Sequence, residues 1–162
     1  MWKKPTSGRV KINVDAAFSP ENMTGATGAV ARDDRGDFIA ATSCFISHVT
    51  SAKSAEVVAI RNGLILAMTI GCNSLILESD SSNAVDIINQ EDYLGQEVSI
   101  YMECRHLGSD FAKVEVIHCF REANSVADSI AKNALSTRSS MVSDEGVPDF
   151  ISLQIVNDLA IV

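Results

Sequence analysis

The change of period near Ser51 constrains the fold of this chain more than any other feature. In "GRVKINVDAAF", Val10, Ile12 and Val14 alternate with Lys11, Asn13 and Asp15, the pattern of a strand with one buried face. "ATGAVARDDRGDFIAATSCFI" reads as two more strands around a turn rich in Asp and Gly. Three consecutive strands predict an antiparallel meander. From Ser51 the period lengthens: "SAKSAEVVAIRNGLILAMTIG" is rich in Ala, Leu and Ile, opens on a Ser cap and stops at Gly71, as a long helix does. The strand "SLILESD", the helix "SSNAVDIINQ", a helix over roughly Glu97 to Ala112, the strand "KVEVIHCFR" and a helix containing Asp128 follow. An order β-β-β-α-β-α-α-β-α implies an α/β fold with a mixed sheet, in which the strands joined by helices run parallel.

Composition bounds what such a sheet can do. With 162 residues and 46% apolar content the chain can bury one core, expected over residues 1–135, with 136–162 as a C-terminal tail or terminal helix. No apolar run approaches the ~20 residues of a membrane span, and "MWKKPTSGR" is not followed by an apolar signal core. Cys44, Cys72, Cys104 and Cys119 stand singly, without zinc-ligand spacing or a disulfide framework. These features are expected of an intracellular protein, nuclear or cytoplasmic and not secreted. The net charge of −8 argues against a groove that holds nucleic acid by basic residues alone.

Four acids stand out against that background. Asp15 ends an alternating strand on the face opposite Val10, Ile12 and Val14, where burial of an unpaired charge is expensive. Glu56 is the one charge on a stripe with Ala52, Ile60, Gly63 and Ala67, although a rim position of that helix gives the same spacing. Asp80 closes a buried strand, where open α/β sheets place their sites, and it also suits an ordinary helix cap. Asp128 lies in the first turn of its helix, where it complements the dipole.

The runs "KINVDAAF", "AEVVAIRNGLILA", "LILESDSSNAVDIIN" and "REANSVADSIAKNA", in this order, resemble the ribonuclease H-like superfamily, most closely its plant branch related to the reverse transcriptases of non-LTR retroelements. The resemblance extends from Trp2 to about Leu135, and includes the "GAVARDDRGDF" hairpin and the spacing of Trp2 and Pro5. It implies a five-stranded sheet in the order 3-2-1-4-5 with helices on both faces. It carries the catalytic and metal-binding roles onto Asp15, Glu56, Asp80 and Asp128. It makes Asn124 the cap of the last helix.

Four converging carboxylates need shared cations, and hard oxygen ligands select Mg²⁺ or Mn²⁺. Two ions ~4 Å apart suit in-line displacement at a phosphodiester. They would also bring the charge from −8 to −4. The implied substrate is the RNA strand of an RNA–DNA hybrid, with Gly25, Gly28, Arg32 and Lys53 as expected substrate contacts. Departures from the family pattern are Ala16 where Gly is usual, His118 inside a strand instead of in a loop, and no basic protrusion. They leave two alternatives beside a nuclease: a nucleic-acid-binding module that does not cleave, and a protein-interaction domain using the apolar tail "FISLQIVNDLAIV".

Overall fold

A computed structural model describes residues 1–160 of the chain. Residues 161 and 162, the end of the apolar tail, lie outside the described part. The elements are β1 (Val10–Ser19), β2 (Thr24–Arg32), β3 (Phe38–Ile46), α1 (Ala52–Thr69), β4 (Ser74–Ser79), α2 (Ser82–Asn89), α3 (Val98–Gly108), β5 (Lys113–His118), α4 (Ser125–Thr137), β6 (Met141–Ser143) and α5 (Asp149–Ala160). A single 3₁₀ turn, Arg121–Ala123, precedes α4.

The sheet order is β5-β4-β1-β2-β3-β6. β1, β2 and β3 form the antiparallel meander, and β4 and β5 extend it in parallel from β1. The expected order of five strands is present, but the sheet has six. β6 pairs antiparallel with Ala41–Ser43 and occupies the edge that β3 would otherwise expose. Three residues are too few to show a period of two, so nothing in the sequence marked this strand.

Local chemistry sets the element ends. Ser51 caps α1 by accepting from the Ser54 amide at 3.0 Å, and Gly71 leaves the helix at a φ of +73°. The β2–β3 turn closes on Asp33, whose Oδ1 accepts from the Arg35 and Asp37 amides at 2.9 Å each, with Gly36 at a φ of +91°. Arg35, Gly36 and Asp37 are thus part of this turn.

Two apolar layers flank the sheet. Ile12, Val14, Leu75 and Leu77 pack under α1, α2 and α3. On the other face Val30 and Ala41 meet Val126 and Ile130 of α4 and Ile151 and Ile155 of α5. The tail thus buries two isoleucines against this chain, while Phe150, Leu153 and Val156 of α5 remain exposed. Among the described residues no helix is long and apolar enough to cross a membrane.

Arg32 is not a surface residue. It is fully buried, its guanidinium lies 3.8 Å from the Trp2 ring centroid, and its Nη1 pairs with Asp158 of α5 at 2.7 Å. It is therefore unavailable to a phosphate; its partner lies in the tail, too distant in sequence for local pattern to reveal. Gly25 and Gly28 lie within β2, not in a turn, and both are buried. A Cβ on Gly25 would come within 2.9 Å of Val49, and one on Gly28 within 2.6 Å of backbone atoms of Ala127 and Ala131. Their small size lets Val49 and α4 pack against β2.

Candidate active site

The topology brings the acids together at one end of the sheet. β1 is the switch point, antiparallel to β2 on one side and parallel to β4 on the other. Val14 is in register with Ser79, so Asp15 and Asp80 are the next residues along neighbouring strands. Glu56 enters from the N-terminal half of α1, which Gly63 allows to lie close over Val14 and Leu77. Asp128 enters from the first turn of α4, which Gly28 allows to lie close over β2.

One carboxylate oxygen from each of Asp15, Glu56 and Asp80 lies within 4.8 Å of the other two. Asp128 borders the same cleft, which Ala16, Arg121 and Lys132 complete. Lys132 Nζ is 2.7 Å from Asp128 Oδ2, and Arg121 Nε is 3.7 Å from Asp80 Oδ2. The cap of α2 comes from Ser81, whose hydroxyl accepts from the Ala84 amide at 3.3 Å. Asp80 is thereby spared the capping role and presents its carboxylate to the cleft.

Asn124 occupies the N-cap position of α4, as expected, and its carbonyl accepts from the Asp128 amide at 3.1 Å. It makes no side-chain cap bond to α4. Its Nδ2 instead donates to the Val14 carbonyl at 2.9 Å, and its Oδ1 accepts from Asn13 at 3.2 Å. Asn13 also accepts from Trp2 Nε1 at 2.9 Å and donates to Glu78 at 3.0 Å. Glu78 completes the set with Lys11 at 2.6 Å. This buried lattice ties the start of α4 to β1 immediately before Asp15.

Electrostatics follows from the crowding. Burial, then the neighbouring Asp80 and Asp128, push the Asp15 carboxyl up to about 7, against the 2.9 Å hydrogen bond from the Ala16 amide that lowers it. Burial, then Asp15 and Asp80, push Glu56 up to about 9. Glu56 Oε2 is buried without any hydrogen-bond partner, an arrangement that costs free energy unless a cation shares it. An all-carboxylate donor set with one orphaned oxygen fits a hard divalent cation such as Mg²⁺ or Mn²⁺.

Arg121 and Lys132 line the cleft although neither stood out among the expected site residues. The i,i+4 spacing of Asp128 and Lys132 was a readable signal. Arg121 carried none beyond its place at the head of "REAN". Lys53, named as a substrate contact, is partly exposed in the first turn of α1 and 3.8 Å from Glu97.

Comparisons with known proteins agree with this fold. A curated Arabidopsis thaliana protein named for ribonuclease H is 31% identical over 153 residues, which cover 93% of this chain and 24% of that protein. This chain thus spans about a quarter of its relative. Among solved structures, the N-terminal RNase H domain of a Mycobacterium tuberculosis protein superposes with a TM-score of 0.72 at 22% identity, covering 80% of this chain and 94% of that one. RNase H1 from the archaeon Halobacterium salinarum gives 0.71 at 23% identity, with 81% and 99% covered. LC11-RNase H1, solved in complex with RNA/DNA hybrid, gives 0.72 at 18% identity, with 80% and 98% covered. Residues 13–134 match the family described as reverse transcriptase-like. A span that includes all four acids, most of β1 and all of β2 to β5 places the chain in the reverse transcriptase-like family, on a ribonuclease H-like fold.

Proposed function

We propose that this chain is a metal-dependent endonuclease that hydrolyses the RNA strand of RNA–DNA hybrids. The observation that carries the reading is the convergence of Asp15, Glu56 and Asp80 around a buried, unpartnered Glu56 oxygen, with Asp128 on the same cleft. The Arabidopsis relative's name and the hybrid bound by LC11-RNase H1 support the choice of substrate.

The reaction is attack of a water oxygen on phosphorus with loss of the P–O3′ bond, in which the water gives up a proton and the departing O3′ takes one up. It leaves a 5′-phosphate and a 3′-hydroxyl. When bound, two Mg²⁺ or Mn²⁺ ions supply positive charge at the phosphate and lower the pKa of a water. Asp15, Glu56 and Asp80 would hold them, and Asp128, at the more exposed side of the cleft, would complete the oxygen set. Arg121 and Lys132 bring fixed positive charge to the rim of an otherwise acidic site, where a phosphate must approach. Ala16 donates its amide to Asp15 and holds that carboxylate's orientation.

Labelled hybrid incubated with Mg²⁺, Mn²⁺ or chelator tests the reading on a gel. Product is expected with either metal and none with chelator, and Asp80→Asn should abolish cleavage, since Ser81 and not Asp80 caps α2. Cleavage by Asp80→Asn at the wild-type rate would remove Asp80 from the site. The close pairing of Lys132 with Asp128 favours one second reading, a module that binds hybrid without cutting it. Binding without product in both metals would establish that reading instead.

A further inference from the structure

The loop between β5 and α4 presents an aromatic side chain that folding does not explain. Phe120 is 76% exposed, although it sits one residue from Arg121 and beside the strand end that carries Asp80. Its backbone is held on both sides. The Cys119 amide donates to the Ser79 carbonyl at 2.9 Å, and the Ala123 amide donates to the Phe120 carbonyl at 2.9 Å. Cys119 takes the inward position at 8% exposure, which leaves Phe120 pointing out. The ring does not lie free, since it meets His118 edge-on, with centroids 5.8 Å apart at 81°. His118 is in register with Ser79, the residue before Asp80.

These placements put an exposed imidazole, an exposed apolar ring and an exposed guanidinium in sequence at 118, 120 and 121, the last of which lines the acidic cleft. A guanidinium there meets a phosphate; a flat ring next to it meets what is attached to that phosphate, the face of a sugar or base. We propose that Phe120, braced by His118, is a ledge on which a nucleotide of the bound strand packs beside the phosphate in the cleft. The inference rests on the nuclease reading above. It assigns Phe120 a part in holding substrate and none in the bond-breaking step.

The experiment compares the wild type with Phe120→Ala and Phe120→Trp. It uses KM and kcat for a hybrid, and fluorescence anisotropy of labelled hybrid in Mn²⁺ on an Asp80→Asn background, which needs no turnover. Loss of a ring that packs on a nucleotide should weaken binding and raise KM roughly 5- to 100-fold with little change in kcat. Phe120→Trp should restore both. The melting temperature of Phe120→Ala should match the wild type, because so exposed a ring contributes little to the core. Unchanged KM and anisotropy in Phe120→Ala would overturn the ledge while leaving the nuclease intact. Binding that depends on Phe120 in a protein that cuts nothing would overturn the nuclease and keep the ledge. No binding of hybrid by any form would overturn both.

Discussion

Gly28 shows how one residue can matter to the site without facing it. It pairs with Asp15 across β1 and β2, and its missing side chain is the space into which α4 settles. In Gly28→Ala the new Cβ would meet the Ala127 carbonyl oxygen and the Ala131 amide nitrogen at 2.6 Å, both backbone atoms that move only with the helix. Overpacking of this kind costs about 1–3 kcal/mol. Because α4 carries Asp128, cleavage should fall by more than the fraction unfolded accounts for. Chemical denaturation and kcat, measured with Gly146→Ala as a control at a position open to solvent, check this. Wild-type kcat in Gly28→Ala would mean that Asp128 tolerates the shift of its helix. Asn124 makes the same point from the other side of α4, since its bond to the Val14 carbonyl joins helix to strand one residue before Asp15.

Among the elements, α5 contributes more than a cover. Its Asp158 is the carboxylate partner of Arg32, whose guanidinium is buried between Trp2 and the helix. Arg32 Nη2 also reaches Asn13 at 3.5 Å, a weak link to the lattice that holds the start of α4. Removal of one partner from a buried pair leaves the other charge without compensation, at about 3–5 kcal/mol. Asp158→Ala should therefore lower stability by an amount of that order. The double variant with Arg32→Met should recover much of the loss, because a methionine fills similar space without a charge. Urea denaturation of the single and double variants decides it. Additive losses would show that Arg32 and Asp158 do not act as a pair.

Across the whole molecule, the metal-free protein stores repulsion at one end of its sheet. Asp15 is raised from 3.8 to about 7 and Glu56 from 4.5 to about 9. A carboxyl whose folded pKa is raised binds its proton more tightly in the folded state. Its stabilising contribution is present below the unfolded value and is lost as pH rises through the folded one. In chelator the melting temperature should thus fall between pH 6 and pH 9, a range above the titration of Asp33, Glu97 and Glu115, whose pKa values are lowered. Asp15→Asn should raise stability in chelator at pH 8 by roughly 1 kcal/mol, about a few degrees. Millimolar Mg²⁺ or Mn²⁺ should narrow or reverse that ranking, since the wild type gains the binding energy. An Asp15→Asn protein less stable than wild type in chelator would assign Asp15 a structural hydrogen bond in place of a share in the cluster.

Much of this was legible in the chain itself. The alternation of Val10, Ile12 and Val14 marks the apolar face of β1, but the expectation of one buried face fails because α4 also covers Lys11, Asn13 and Asp15; the Ser51 cap and the Gly71 stop fall where α1 begins and ends. Element order then leaves few sheet topologies, and acids in β1, α1 and α4, with Asp80 just past β4, mark one end of the sheet. Periodicity records which face of an element is apolar, because that depends on the chain's own repeat. It does not record what covers that face. Only the tertiary structure makes Arg32 an interior residue, frees Asp80 by giving the cap to Ser81, ties the side chain of Asn124, at the N-cap of α4, to the Val14 carbonyl, and adds β6 to the sheet edge. Each of these depends on a partner distant in sequence or on a choice between adjacent residues that local propensity leaves equal. The raised pKa values of Asp15 and Glu56 belong to the same class, since burial and neighbouring charge exist only after the chain has folded.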